Sequence, residues 1–238
     1  MKIALIGYGK MGKAIEEIAL QKRHTIGLKI DLGNIADLNI QNLQKCDVAI
    51  EFTHPDSVVK NLLTCFDANI PVVCGSTGWL QHLEKVKNKC IEMNGSFLYA
   101  SNFSIGVNIF FELNKYLSKM MNRQKGYDVS IEEIHHTQKK DAPSGTAISL
   151  AEQIIENIPA KKSWVNTLQH NENELSIISK RIGPAPGTHA IKYSSAIDDI
   201  EIIHTAHNRK GFASGAVLAA EFLQNKKGIF SMADVLGF

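Results

Sequence analysis

Two histidines and a lysine stand close together in the sequence and could transfer protons. His135, His136 and Lys139 follow a predicted strand, and the helix predicted next begins near Gly145 and Thr146. Imidazole groups exchange protons near neutral pH, and an ammonium group adds positive charge. The first N–H groups of a helix have no partner within the helix and attract anions. This segment therefore suits an acidic small molecule whose reaction requires a proton.

A glycine-rich sequence near the N-terminus could hold phosphate groups. Gly7, Gly9 and Gly12 form Gly-x-Gly-x-x-Gly between a predicted strand and a predicted helix. In dinucleotide sites, the first glycine permits a tight turn, the second lets the backbone approach the pyrophosphate, and the third allows close helix–strand packing. Asp31 follows the second predicted strand, where a carboxylate accepts hydrogen bonds from the adenosine ribose. The sequence predicts dinucleotide binding, with a purely structural glycine turn as the alternative.

The residues around Asp31 bear on the choice of dinucleotide. A carboxylate at this position favours a free ribose 2′-hydroxyl and repels a 2′-phosphate, and the next residue is Leu32 rather than an arginine. Lys10 and Lys29 could still offer positive charge to a 2′-phosphate. We expect NADH to be favoured over NADPH.

Strands and helices are predicted to alternate in the first part of the chain. Strand segments at residues 2–6, 25–30, 47–52, 70–74 and 96–100 are separated by helical segments at residues 13–20, 56–67 and 80–92. This alternation indicates βαβ units and therefore a Rossmann-type, doubly wound parallel sheet in an α/β fold.

The pattern changes after residue 100. A helix at residues 106–121, a strand at 128–135, a helix at 146–157, strands near 174–180, 189–195 and 198–204, and an alanine-rich helix at 215–223 follow in turn. Strands in quick succession predict an α+β domain with a mixed, largely antiparallel sheet. We expect a dinucleotide-binding domain of residues 1–105 and 210–238, and a substrate-binding domain of residues 106–209.

Charge and apolar patterning exclude two classes of protein. The 238 residues carry 26 Lys and Arg against 24 Asp and Glu, a net charge of +2 without a continuous basic stripe, so we expect no nucleic-acid binding. No stretch approaches the roughly 18 apolar residues of a membrane span, and the apolar run before Gly7 is too short for a signal peptide. These features predict a cytoplasmic protein with no membrane partner.

The cysteines and histidines do not predict a metal site. Cys46, Cys65, Cys74 and Cys90 contain no C-x-x-C pair and are expected to be reduced and mostly buried. The residues that could suggest a metal are His135, His136, His189, His204, His207 and Asp141, and their spacing matches no standard zinc pattern. We expect His204 and Arg209 to shape the sheet of the second domain or its anionic pocket.

Several segments together resemble one family. Residues 135–147, His-His-Thr-Gln-Lys-Lys-Asp-Ala-Pro-Ser-Gly-Thr-Ala, closely resemble the His-His-x-x-Lys-x-Asp-Ala-Pro-Ser-Gly-Thr-Ala signature of bacterial dihydrodipicolinate reductase (4-hydroxy-tetrahydrodipicolinate reductase). Residues 51–55, 75–78, 100–108 and 204–216 are similar to the family's Phe-Thr-x-Pro turn, nicotinamide loop, interdomain crossover and closing motif. The resemblance covers nearly the whole chain.

The resemblance implies a reaction and a role for each matched residue. The reaction is the NAD(P)H-dependent reduction of 4-hydroxy-tetrahydrodipicolinate, a cyclic dicarboxylate, to tetrahydrodipicolinate with loss of water, on the diaminopimelate route to lysine. His135 would be the general acid and Lys139 would assist it; His136, Gly145 and Thr146 would bind substrate. The cofactor residues would be Gly7, Tyr8, Gly9, Lys10, Met11, Gly12, Asp31, Gly75, Ser76, Thr77, Ala100, Ser101, Asn102 and Phe103. The family also implies a homotetramer built through the sheet of the second domain.

The chain departs from the family pattern near the adenosine ribose. Its glycine loop is one residue tighter than the family's frequent Gly-x-x-Gly-x-x-Gly, and Leu32 replaces a basic residue. These departures concern the choice between NADH and NADPH rather than the reaction. Two alternatives are another two-domain nicotinamide-dependent dehydrogenase of amino-acid metabolism and a non-catalytic dinucleotide-sensing protein.

Overall fold

The computed structural model describes residues 1–208 and 210–238, and the chain forms two compact units. The first comprises Met1–Ile105 and Lys210–Phe238, and the second comprises Gly106–Arg209. Arg209, which the sequence analysis assigned to the second sheet or its pocket, lies outside the described residues.

The first unit alternates strands and helices. Its elements are β1 (Lys2–Ile6), α1 (Lys10–Gln21), β2 (Thr25–Ile30), α2 (Ile40–Leu43), β3 (Val48–Glu51), α3 (Pro55–Asp67), β4 (Val72–Cys74), α4 (Leu83–Glu92) and β5 (Ser96–Tyr99), followed after the second unit by α7 (Lys210–Leu223), β11 (Gly228–Phe230) and α8 (Met232–Leu236). Short 3₁₀ helices cover Leu32–Asp37 and Leu80–His82.

The strands of this unit form one parallel sheet in the order β11-β5-β4-β3-β1-β2. Its central strands are almost entirely apolar, and β1 and β3 bury nearly every side chain because helices cover both faces. Burying one such aliphatic side chain contributes about 2 kcal/mol to folding. The predicted Rossmann-type parallel sheet is confirmed.

The second unit builds a sheet with helices against it. Its elements are α5 (Ile105–Met121), whose first residue belongs to the first unit, β6 (Asp128–His135), α6 (Gly145–Asn157), β7 (Ser163–Val165), β8 (Glu174–Arg181), β9 (Gly187–Ser194) and β10 (Asp199–Ala206). The strand order is β10-β9-β6-β8-β7. The pairings of β9 with β10 and β6 are antiparallel, whereas β8 pairs in parallel with β6 and β7. The predicted mixed sheet is confirmed, but it is not largely antiparallel, because two of these four pairings are antiparallel and two are parallel.

A separate apolar core holds the second unit together. Leu150, Ala151 and Ile154 on α6 are buried with Ile131 and Ile177 of the sheet. Within the same unit, the Asn114 side chain of α5 donates to the backbone carbonyl of Leu150 at 3.0 Å. The two helices are therefore joined by a buried polar contact as well as by packing.

Two further findings concern the cysteines and the helices. Cys46, Cys65, Cys74 and Cys90 are all buried and none forms a disulfide. No helix within residues 1–208 and 210–238 is both long and apolar enough to cross a membrane.

Candidate active site

The sheet of the first unit brings the predicted cofactor residues to one edge. Residues 7–12 follow β1, Asp31 follows β2, residues 75–77 follow β4, and residues 100–103 follow β5. Because all these strands are parallel, their carboxyl ends lie along the same edge of the sheet. Open α/β sheets bind ligands at this edge.

The three glycines of the first loop are required for different reasons. Gly7 has φ +94°, and a Cβ there would lie 2.0 Å from the carbonyl oxygen of Phe52. A Cβ at Gly12 would lie 2.3 Å from the carbonyl oxygen of Gly7. At Gly9, by contrast, a Cβ would meet no described atom within 4 Å. Gly7 and Gly12 thus permit the fold, while the backbone at Gly9 borders open space at the start of α1, as a pyrophosphate requires.

The end of β2 contains a lysine that is already paired, and a carboxylate follows the strand. Asp31 is exposed and accepts a hydrogen bond from the backbone N–H of Leu32 at 2.8 Å. The Lys29 ammonium lies 2.7 Å from Glu16 Oε1 and 4.8 Å from the centre of the Tyr8 ring, and the Tyr8 hydroxyl donates to the same glutamate. The hydrogen bond from Lys29 and that from Tyr8 lower the pKa of Glu16. Lys29 is therefore held by α1.

In two of the predicted cofactor loops, a side chain contacts other residues of the same unit. The Ser76 hydroxyl donates to Glu51 Oε2 at 2.7 Å and accepts from the Thr53 N–H at 2.7 Å. Phe103 is almost completely buried, and its ring packs against Phe52 with centroids 5.7 Å apart. These loops can offer a ligand their backbone, but Ser76 and Phe103 mainly fix the shape of the edge.

Glu51, at the end of β3, joins the loop that follows β3 to the loop that follows β4. Its fully buried carboxylate accepts hydrogen bonds from Thr53, Ser76, Asn61 and the thiol of Cys74. Burial raises the pKa of Glu51, and the hydrogen bonds from these neutral groups only partly offset that effect.

In the second unit, β6 ends at the first of the two predicted active-site histidines. His135 and Glu133 are both buried on one face of the strand, since residues two apart in a strand point to the same side. His135 Nδ1 lies 2.7 Å from Glu133 Oε2, which is an ion-pair distance, although the contact lacks the alignment of a hydrogen bond. The imidazole is therefore held against a carboxylate.

Glu133 has other positive or hydrogen-bonding neighbours. Arg181 on β8 lies 3.0 Å from Glu133 Oε1, and the Ser144 N–H, just before α6, donates to the same oxygen at 3.1 Å. Burial raises the pKa of Glu133, but the contacts with His135, Ser144 and Arg181 outweigh burial and hold the pKa well below its usual range. Glu133 is thus an ionised carboxylate in the interior of the unit.

A third histidine completes the cluster. His189 on β9 is buried, and its ring meets that of His135 edge to face with centroids 5.1 Å apart. Its Nε2 lies 3.1 Å from the Ser144 hydroxyl. Burial and the positive charge of a protonated His135 lower the pKa of His189 to about 4. His189 is therefore neutral at neutral pH.

The remaining predicted site residues lie on the segment between β6 and α6 or, for Gly145 and Thr146, in the first turn of α6. The Lys139 ammonium is 2.8 Å from Asp141 Oδ2 and is about one-fifth exposed. His136 lines a cavity of about 450 Å³ together with Thr137, Gln138, Gly183, Pro184, Pro186 and Asn208. Gly145 begins α6, and a Cβ on it would meet no described atom within 4 Å. The helix start is thus accessible to an anion beside the two histidines.

The cluster of Glu133, His135 and His189 also has the composition of a metal site. One possible ligand atom from each residue lies within 4.8 Å of the others. However, the carboxylate already contacts the guanidinium of Arg181 and the Ser144 N–H. Protein groups therefore compensate its charge. That this cluster holds no metal stays a prediction.

Sequence reasoning missed Glu133 and Arg181 and considered His189 only as a possible metal ligand. The period of two along β6 places Glu133 beside His135 and could have identified it. Arg181 pairs with His135 across β6 and β8, and His189 pairs with Glu133 across β6 and β9. Those two pairings depend on strand register, which no local motif reveals.

Comparisons with known proteins agree with this geometry. A family model described as "Dihydrodipicolinate reductase, N-terminus" matches residues 1–103, and one described as "Dihydrodipicolinate reductase, C-terminus" matches residues 106–236. A 4-hydroxy-tetrahydrodipicolinate reductase from Christiangramia forsetii is 51% identical over 236 residues, covering 99% of this chain and 98% of the relative. The corresponding enzyme of Methanococcoides burtonii is 35% identical and covers 95% and 86%.

Solved structures share the fold. A dipicolinate-bound dihydrodipicolinate reductase from a Paenisporosarcina species has a TM-score of 0.80 and 23% identity, covering 97% of each chain. An amine dehydrogenase from Mycobacterium smegmatis has a TM-score of 0.58 and 10% identity, covering 97% of this chain and 94% of the other.

Proposed function

Since the chain belongs to the dihydrodipicolinate reductase family, we propose that its two compact units divide the work of one reduction. The reaction is the NAD(P)H-dependent conversion of 4-hydroxy-tetrahydrodipicolinate to tetrahydrodipicolinate with loss of water, in the diaminopimelate route to lysine. The first unit binds the nicotinamide dinucleotide. The second unit binds the dicarboxylate and supplies the proton.

The edge of the parallel sheet fits a dinucleotide. Open space at Gly9 and the N-terminus of the twelve-residue α1 suit a pyrophosphate, and the exposed Asp31 suits the adenosine ribose. When bound, the reduced nicotinamide supplies the hydride. Residues 75–77 and 100–103 would border the nicotinamide with backbone groups, because Ser76 and Phe103 are engaged within the unit.

The cofactor proposal includes a preference for NADH over NADPH. Asp31 disfavours a 2′-phosphate, and Lys29, which could otherwise offset that effect, is paired with Glu16. The ratio of kcat/KM for the two cofactors tests the preference directly. Glu16→Gln should raise kcat/KM with NADPH by roughly threefold to tenfold, since it weakens the hold on Lys29. Glu17→Gln is the matched control, and equal or better use of NADPH by the unmodified chain contradicts the proposal.

The cluster at the start of α6 supports the assignment of the acid. A buried imidazole held against a carboxylate, next to an accessible helix N-terminus, combines a proton donor with an anion site; this observation carries the proposal. His135 donates the proton to the ring of the substrate. Lys139 assists and pairs with a substrate carboxylate. His136 and the N–H groups of Gly145 and Thr146 bind the substrate.

The decisive experiment is a coupled assay with a matched pair of variants. Pyruvate, aspartate semialdehyde and the upstream synthase generate the substrate, and loss of reduced nicotinamide is followed by absorbance. Lys139→Ala should lower kcat by roughly 100-fold or more, in line with loss of an acid–base group, and leave the Kd for NADH nearly unchanged. Lys140→Ala, its exposed neighbour, should behave as the unmodified chain. A near-normal rate for Lys139→Ala removes that residue from the mechanism.

The family resemblance also underlies a proposal that the protein is a homotetramer joined through the second sheet. Support comes from β10, an edge strand on which Ile203 is 59% exposed, and from exposed apolar side chains on α5, including Leu113 and Tyr116. Light scattering after gel filtration should give four times the chain mass. Ile203→Lys should lower that mass, whereas Ile197→Lys, in the turn before β10, should not.

A further inference from the structure

The strongest unassigned feature is the way in which Glu133 contacts His135. The carboxylate is fully buried, and its Oε2 lies 2.7 Å from the Nδ1 nitrogen of the ring. The opposite ring nitrogen, Nε2, lies beside Gly187, where a Cβ would be only 3.0 Å away. One ring nitrogen therefore faces a fixed acceptor, and the absence of a side chain at position 187 leaves space near the other.

We propose that Glu133 is a positioning residue that keeps a proton on Nδ1 of His135 and thereby directs the transferable proton to Nε2. The carboxylate fixes the ring orientation and stabilises the doubly protonated imidazolium from which Nε2–H is donated. After donation, His135 is neutral with its remaining proton on Nδ1, and a proton from water restores the acid. This inference rests on the proposed role of His135 as the general acid.

The other charged groups around the pair are consistent with this role. Arg181 lies beside Glu133 and opposite His135 in register, so it holds the carboxylate ionised and also opposes a positive charge on the ring. His189 adds no charge at neutral pH. Lys139 and Asp141 form an ion pair on the following loop, and His204 on β10 is held towards its neutral form by burial. Glu133 is the buried carboxylate in direct contact with His135 among the described residues.

The test is the pH dependence of kcat for Glu133→Gln, with Glu132→Gln as the matched control. Glu132 is the preceding residue of β6, and its partly exposed carboxylate pairs with Lys180 at 2.6 Å. Glu133→Gln removes the negative charge that lies 2.7 Å from Nδ1 of the ring. The alkaline limb of the profile should therefore move to lower pH by roughly one unit. At alkaline pH, kcat should fall about tenfold, and acidification should recover most of it.

The expected pattern separates positioning from folding. Acid rescue of Glu133→Gln supports the inference, because a misfolded site is not restored by a lower pH. An unshifted limb overturns it, as does an equal shift in Glu132→Gln. If Glu133→Gln does not fold, Glu133→Asp is used instead. Aspartate keeps the negative charge but is shorter by one methylene, so kcat should fall while the alkaline limb of the profile stays at the same pH. An unchanged kcat in Glu133→Asp also overturns the inference.

A double-variant comparison shows whether Glu133 acts through His135. In a His135→Gln background, Glu133→Gln should lower kcat by less than twofold, since the group on which it acts is absent. The same fold-loss in both backgrounds overturns the inference while leaving His135 as the acid. A near-normal rate for His135→Gln alone is a different outcome, since it contradicts the proposed acid itself.

Discussion

Glu51 and Glu133 are both fully buried glutamates near strand ends, one in each compact unit, yet their pKa values are shifted in opposite directions. The partners of Glu51 are hydroxyl, amide and thiol groups, and burial raises its pKa. Burial also acts on Glu133, but an imidazole, a guanidinium and a backbone N–H together depress its pKa. The comparison teaches that partners, rather than depth, decide the direction in which the pKa of a buried carboxyl is shifted.

The difference also separates their functions. Glu51 has only neutral hydrogen-bond donors around its carboxyl, and it joins the loops that carry them. An ionised carboxylate can retain a cation nearby, which is what a proton-donating imidazole requires. Glu51 therefore holds loops of the first unit in place, and Glu133 supplies a negative charge beside His135 in the second.

Replacing each glutamate by glutamine should have the largest effect and would test the contrast directly. Glu133→Gln leaves Arg181 without its buried partner and should lower the free energy of unfolding by about 3 kcal/mol at pH 7. Glu51→Gln removes a group with only neutral partners and should cost less than about 1 kcal/mol. Urea denaturation followed by circular dichroism measures both. Equal losses would show that burial depth, and not the partners, controls these sites.

His189 provides a second test, because it is buried and neutral within the Glu133 cluster. Its pKa is lowered to about 4 from 6.5, so the unfolded chain binds a proton more readily than the folded chain between those values. The stabilisation is complete above pH 6.5 and is lost as the pH falls to about 4. His189→Gln should remove about 3 kcal/mol of that pH dependence. A variant whose stability falls as steeply as that of the unmodified chain contradicts a neutral His189.

The two carboxyls should affect the acid stability profile with opposite signs. The depressed pKa of Glu133 stabilises the fold above the ordinary value of 4.5, and this contribution is lost as the pH falls below it. The raised pKa of Glu51 gives a contribution that is complete below 4.5 and is lost as the pH rises through the folded value. Unfolding curves at several pH values should therefore show Glu133→Gln approaching the unmodified chain in acid.

In the same curves, the stability of Glu51→Gln relative to the unmodified chain should increase as the pH rises above 4.5. Slopes of the same sign for the two variants would remove the contrast. Glu132→Gln, which replaces a partly exposed carboxylate, should follow the unmodified chain throughout.

The smallest effect is expected at Cys74, whose thiol is 3.4 Å from Glu51 Oε2. Cys74→Ala removes one weak donor and should cost about 1 kcal/mol or less. Cys74→Ser supplies a stronger donor and should retain the contact, so it is the matched control. Equilibrium unfolding in a reducing buffer measures both. A loss of several kcal/mol in Cys74→Ala would mean that the thiol, rather than the hydroxyl groups, holds the carboxyl.

Much of the fold followed from local patterns in the sequence. The apolar runs predicted β1 and β2, and the alternation at residues 128–135 gave the bounds of β6. The short β7, β11 and α8 were missed because segments of three to five residues carry too little periodicity. Their formation depends on neighbouring strands and helices instead.

The candidate site was predictable where motifs are continuous and not where contacts depend on register. Residues 135–146 formed one segment and could be interpreted together. Arg181 reaches Glu133 only because β8 pairs with β6, and Lys29 is restrained by Glu16, which lies on a helix facing it. Such contacts join residues far apart along the chain, so composition and spacing do not reveal them.

The discontinuous first unit has a consequence for the order of folding during synthesis. β11 is the edge partner of β5, although well over a hundred residues separate them, and α7 packs into the same core. On the ribosome, β5 emerges long before β11 and keeps an unpaired edge that invites association with other chains. The continuous second unit can complete its sheet first. The residues that complete the sheet of the first unit are therefore translated after the whole second unit.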